Sequence, residues 1–146
     1  MKSYIPSQVI NGTYGEVWLN DEYMAEVTSL EAKISLKKTE VNMVGRLNPG
    51  QKVTGSENKG TLKMNHVTSN LKKTIAESLK KGKTPSFTLI SALSDPDAIG
   101  GQTERVKLTD VTFDEVDLVN FENGKLGEQS YAFTFDDHEF IDSIDA

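Results

Sequence analysis

From residue 27 to residue 38 the chain alternates, with Leu30, Ala32, Ile34 and Leu36 on one side and Glu31, Lys33, Ser35 and Lys37 on the other. A period of two is the mark of a half-buried strand. Strands in globular domains usually run about 5 to 6 residues, so this one predicts a sheet that reaches past the core of its own protomer. The chain has 146 residues, 36% of them hydrophobic, which suits one domain with a single core. A strand that outruns such a core points to self-assembly.

Around this strand the punctuation is clear. Residues 1 to 13 read as an N-terminal arm, broken by Pro6 and Asn11-Gly12. Residues 16 to 19 and 23 to 25 flank a hairpin turn at Asn20-Asp21-Glu22. Residues 39 to 59 carry Asn42, Gly45, Asn48, Pro49, Gly50, Gly55 and Asn58, and read as a long loop. Within that stretch Val41, Met43, Val44 and Leu47 are too apolar for a free linker, so part of it is expected to dock on a partner, another subunit being one candidate.

A strand over residues 60 to 67 places Leu62 and Met64 on one face. The spacing of Leu71, Ile75 and Leu79 predicts a helix over 70 to 81, capped by Ser69 and stopped by Gly82. Residues 86 to 93 are apolar on both faces and form the expected central strand. Residues 105 to 113 alternate, with a change of face at Thr109-Asp110 that suggests a bulge. Residues 116 to 121 are expected to continue that strand into a hairpin at Asn123-Gly124. A closing strand over 127 to 136 aligns Tyr131, Phe133 and Phe135, and residues 137 to 146 form an acidic C-terminal tail. Six or seven strands with one helix give a mainly β, β-rich α+β domain: an antiparallel β-sandwich or barrel with a flanking helix.

Composition narrows the function. The net charge of −6 argues against gripping nucleic acid through its phosphates. With no cysteine there is no thiol nucleophile, disulfide framework or cysteine metal site. No run approaches the roughly 18 apolar residues of a membrane span, and the first residues lack the apolar core of a signal peptide, so a soluble, unexported product is expected.

The search for chemistry is short. His66 and His138 are the only histidines, and neither has a serine in a nucleophile-elbow context. Asp136, Asp137, His138 and Glu139 are adjacent on an extended segment and point to opposite faces, so they cannot all reach one ion. Asp95 and Asp97 sit in a turn that lacks the downstream acid of a calcium loop, and Asp114-Glu115 does not stand out among 22 acids. Trp18 reads as a core anchor. No catalytic, cofactor-binding or metal-binding residues are assigned, and no enzyme is expected. The alternative function is a small monomeric β-barrel that holds an apolar ligand.

The blocks Asn11-Gly12-Thr13-Tyr14-Gly15-Glu16-Val17-Trp18-Leu19, Ala25-Glu26-Val27-Thr28-Ser29 and Glu40-Val41-Asn42-Met43-Val44-Gly45 are distinctive as a set. So are Lys52-Val53-Thr54-Gly55, Gly60-Thr61-Leu62-Lys63-Met64-Asn65, Ser94-Asp95-Pro96-Asp97-Ala98, Lys125-Leu126-Gly127-Glu128 and Phe133-Thr134-Phe135. Together, over nearly the whole chain, they resemble the tail tube proteins of contractile phage tails in Gram-positive bacteria, the XkdM-like family of the PBSX prophage and of phage-tail bacteriocins.

The resemblance implies two roughly orthogonal sheets with a flanking helix, and protomers joined into hexameric rings that stack as a hollow tube inside a sheath. It implies as partners the chain itself, the sheath protein, and baseplate and tail terminator proteins. DNA would only pass through the lumen, without specific binding or membrane insertion. Assembly would take place in the host bacterial cytoplasm, before incorporation in a virion or phage-tail-like particle. On this reading Val41, Met43, Val44 and Leu47 form an inter-ring interface and Lys80, Lys81 and Lys83 face the sheath. Glu31, Ser35 and the acids near Asp114 are candidates for an acidic lumen.

Overall fold

Among the described residues, eight strands and one α-helix, besides three short 3-10 turns, follow in the order β1 (Gly15–Leu19), β2 (Glu22–Tyr23), β3 (Val27–Val41), β4 (Gly50–Asn65), α1 (Asn70–Lys80), β5 (Phe87–Leu93), β6 (Glu104–Phe113), β7 (Glu128–Thr134) and β8 (Asp137–Asp142). The computed structural model describes residues 3 to 145, so the ends of the expected arm and tail, Met1, Lys2 and Ala146, lie outside the described residues. Hydrogen bonds link the strands as β2-β1-β5-β6-β7-β4-β3, with β8 also on β6, and every pairing is antiparallel.

β6 is what turns one sheet into two layers. Its first part, Arg105 to Thr109, lies between β5 and β8, whereas Thr112 and Phe113 pair with Thr134 and Phe133 of β7. Between the two stretches Asp110 has a positive φ of 51°, at the change of face that the sequence predicts. Aspartate tolerates this conformation better than most residues, and the Asp110 carboxylate accepts a 3.2 Å hydrogen bond from the Ser86 hydroxyl.

The two inner faces meet over Leu62, Leu89, Val111, Tyr131 and Phe133, all fully buried. Phe113 joins Phe87, Tyr131 and Phe133 edge to face, with centroid distances of 5.4, 5.7 and 6.2 Å, arrangements that aromatic quadrupoles favour. Gly60 makes this packing possible, because a Cβ there would collide with the Phe133 ring and the Glu31 carbonyl. These rings fill the centre of the core. α1 closes one end of the core with Leu71 and Ile75, an i, i+4 pair, and Gly82 stops it at φ 75°.

Several expectations need correction. The stretch 39 to 59 is a long loop only over residues 42 to 49; the rest belongs to β3 and to β4, which begins at Gly50. Residues 114 to 127 are irregular, not strand and hairpin. The acidic tail is no free appendage, since residues 137 to 142 form β8 on β6. Ser69 caps α1 without a side-chain hydrogen bond. Trp18 is half-buried on the outer face of β1 beside Tyr23, while its neighbours Val17 and Leu19 enter the core.

Candidate assembly surfaces

β3 and β4, of 15 and 16 residues, pair along almost their whole length, from Val27–Met64 to Val41–Gly50. β7 accompanies β4 only from Lys59 to Asn65. Asn58 marks the departure point: its amide nitrogen donates to the Asp136 carbonyl at 3.1 Å, and its own carbonyl accepts from the Phe135 N–H at 3.2 Å. Beyond it the hairpin continues as a two-stranded ribbon, a form that is marginal in water without further support.

The pleat gives the ribbon two unlike faces. Register places Leu30 opposite Leu62, Ala32 opposite Gly60, Ile34 opposite Asn58 and Leu36 opposite Ser56. This is the core face of the sheet, continued outward. A register shift between Lys37 and Lys38 leaves Thr54 as the extra residue of a bulge and returns Val53 to the same face. Leu62 is 0% exposed and Leu36 55%, so one apolar stripe runs from the core into solvent.

The opposite face is charged. Lys37 and Lys59 reach Glu57 at 3.0 and 3.5 Å, and the Lys37 hydrogen bond, with the charges of both lysines, holds the Glu57 carboxyl below its ordinary range. Glu31 and Ser35 lie on this face with Lys33, Lys37, Lys59 and Lys63. Lysines outnumber acids there, so the candidates Glu31 and Ser35 do not form an acidic surface.

At the tip the structure brings together the four residues singled out by sequence. Val41 ends β3, and Met43, Val44 and Leu47 stand in the turn, with Val44 and Leu47 wholly exposed. Gly45 has the positive φ of 81° that the turn needs, and Arg46 folds back so that its N–H donates to the Met43 carbonyl at 3.3 Å.

A second apolar surface, missed by the sequence reading, lies at the other end of the β4–β7 ladder. Asp114 accepts from the Thr134 hydroxyl at 2.8 Å, Asp117 accepts from the Ser130 N–H at 3.2 Å, and Lys72 Nζ donates to the Leu118 carbonyl at 3.1 Å. Aspartate side chains that bond to nearby backbone and hydroxyl groups compete with a regular ladder, so residues 114 to 127 lie along β7 without extending β6. They leave Leu118, Val119, Phe121 and Leu126 exposed, Phe121 by 87% and Leu126 by 96%. The available signal was four apolar residues that fit no single period beside Asn120, Asn123 and Gly124.

The remaining candidates stay apart. Lys80, Lys81 and Lys83 are exposed at the end of α1. His66, at the end of β4, reaches Gln129 at 3.3 Å; Gln129 in turn accepts from the buried Tyr131 hydroxyl at 2.8 Å. Burial, then the nearby Asp117 charge, pushes the Tyr131 phenol up to about 12. His138 stacks edge-on against Phe140. Buried Asp95 accepts 2.9 Å hydrogen bonds from the N–H groups of Asn11 and Asp97, so it ties the root of the arm to the body. Among the described residues, no three histidine or acidic side chains converge as a metal site would require.

Comparison with known proteins accounts for this inventory of surfaces without chemistry. The family model described as "phage tail tube protein" matches residues 2 to 142. The chain is 37% identical over 136 residues to the phage-like element PBSX protein XkdM of Bacillus subtilis (strain 168), covering 92% of each. Its fold is similar to that of a chain from the cap that terminates the tube of the anti-feeding prophage, with TM-score 0.70, 13% identity and coverage of 98% of this chain and 95% of that one. A chain of the PVC sheath-tube complex, an extracellular contractile injection system in its extended state, gives TM-score 0.69 at 15% identity, with coverage of 97% and 100%. This chain belongs to the phage tail tube protein family, whose members are structural proteins and not enzymes.

Proposed function

We propose that the protein is the tube subunit of a contractile phage tail or phage-tail-like particle, and that it works as stacked hexameric rings forming a hollow tube within a sheath. The observation that carries this reading is the β3–β4 ribbon, whose apolar stripe continues the core face and is left about half exposed by the described residues. Ile34, Leu36 and Val53 are 44 to 55% exposed, so covering each would add about 1 kcal/mol, half of a full burial, and summed over a ring, lateral packing of ribbons on neighbouring protomers can hold it together. The unpaired outer edge of β3 supplies backbone hydrogen bonds for the same contact.

Val41, Met43, Val44 and Leu47 form the contact between rings, and the N-terminal arm, with Tyr4, Ile5 and Val9 exposed, adds a further contact between protomers. Lys80, Lys81 and Lys83 face the sheath, whose association is mainly electrostatic on this side. A baseplate and a tail terminator bind the tube ends, and any DNA passes through the lumen without specific binding. Subunits assemble in the host bacterial cytoplasm before entering the particle.

Negative-stain electron microscopy of the purified protein tests the reading: rings or tubes support it, and a monomer that persists at high concentration overturns it. Reversal of Lys80, Lys81 and Lys83 to Glu is expected to leave tubes intact while sheath protein no longer co-sediments with them.

A further inference from the structure

The tip of the ribbon and the loop of residues 114 to 127 lie at opposite ends of one ladder. β4 begins at Gly50, opposite Val41 beside the tip, and ends at Asn65, opposite Glu128 just after the loop. The His66 N–H donates to the Gly127 carbonyl at 2.9 Å, which fixes the end of the loop to the end of β4. At about 3.3 Å per residue, the 16 residues of β4 hold the two surfaces roughly 50 Å apart. They cannot meet within one protomer.

Both surfaces are apolar at their centres and opposite in charge at their margins. Residues 38 to 52 contain Lys38, Arg46 and Lys52 against Glu40, a net +2. Residues 117 to 128, which reach the Asn65–Glu128 end of the ladder, contain Asp117, Glu122 and Glu128 against Lys125, a net −2. Exposed apolar side chains lie within each charged frame, Val44 and Leu47 in one and Phe121 and Leu126 in the other.

We propose that the hairpin tip of one copy docks on the 114 to 127 loop of a second copy, so that this loop is the receiving surface of the contact between rings. The inference rests on the tube reading and adds the receiving surface to it. A head-to-tail contact between unlike surfaces at opposite poles does not close on itself, and repetition produces an open-ended polymer. The competing tip-to-tip contact would set Arg46 and Lys52 against their own copies, and it would end growth after one pairing. Charge complementarity also gives the stack one polarity.

The absence of cysteine permits a direct test. A Leu47→Cys preparation and a Phe121→Cys preparation are mixed, assembled and treated with a short bismaleimide. A cross-linked dimer is expected in the mixture, with none when Leu47→Cys is mixed with Lys81→Cys. The double variant Phe121→Asp with Leu126→Asp, altered only at exposed positions, is expected to give rings without tubes. Wild-type tubes without the Leu47–Phe121 product, or tubes of normal length from the double variant, overturn this contact alone. A wild-type protein that never forms rings or tubes overturns the tube reading and this contact with it.

Discussion

The two ends of the β3–β4 ladder share strands, register and alternation, yet one end is body and the other is ribbon. At the body end β7 pairs with β4, and Leu62 and Met64 meet the aromatic cluster. At the ribbon end the same stripe continues through Ile34, Leu36 and Val53 into solvent. Alternation therefore reports which face is to be buried, and not whether this chain buries it. The body accounts for the folding of the protomer, and on the tube reading proposed above the ribbon serves assembly.

Substitutions at the two ends should separate those roles. Phe133→Ala should have the largest effect on stability, about 3 to 5 kcal/mol in denaturant unfolding, because it leaves a cavity among packed rings. A loss below about 1 kcal/mol would break the comparison from the body side. Gly60→Ala, where the ladder leaves the core, should cost at least about 1 to 3 kcal/mol by forcing aside both Phe133 and the β3 backbone at the Glu31 carbonyl, measured the same way.

Tyr131 sharpens the contrast through pH. Its folded pKa is raised, so its contribution is fully present below the unfolded value of 10.0 and is lost as pH rises toward about 12. That change is worth at most about 3 kcal/mol. Tyr131→Phe leaves the Gln129 Oε1 without its donor and lowers stability at neutral pH, but it should flatten the alkaline decline; an unchanged slope in melts between these pH values would assign the decline to other groups. Asp95→Ala, which releases the N–H groups of Asn11 and Asp97, should cost about 1 to 2 kcal/mol and expose the arm to limited proteolysis. In the ribbon, Glu57→Gln removes two exposed ion pairs, to Lys37 and Lys59, and should leave the melting temperature unchanged.

The body was largely legible in the sequence, because its signals are local. Leu62 with Met64, Tyr131 with Phe133 and Phe135, and the turn at Asn20-Asp21 read correctly from alternation and turn chemistry. The start of β4 did not: Gly50, Gly55 and Asn58 are poor strand formers, and only pairing with β3 makes them a strand, an instance of context overriding propensity. β8 depends in the same way on a long-range partner, β6. For the assembly surfaces, Val41, Met43, Val44 and Leu47 stood out as apolar residues in a polar stretch. Residues 114 to 127 escaped notice because the hydrogen bonds of Asp114 and Asp117 that divert them are tertiary.

On the tube reading, the ribbon's apolar stripe is dispensable for folding and required for the polymer. Electron microscopy of the triple variant Ile34→Ser, Leu36→Ser, Val53→Ser, at a concentration where the wild type forms tubes, tests it most directly. The account predicts a folded subunit with unchanged thermal unfolding and no tubes or rings. Tubes of normal length and diameter from that variant would contradict it.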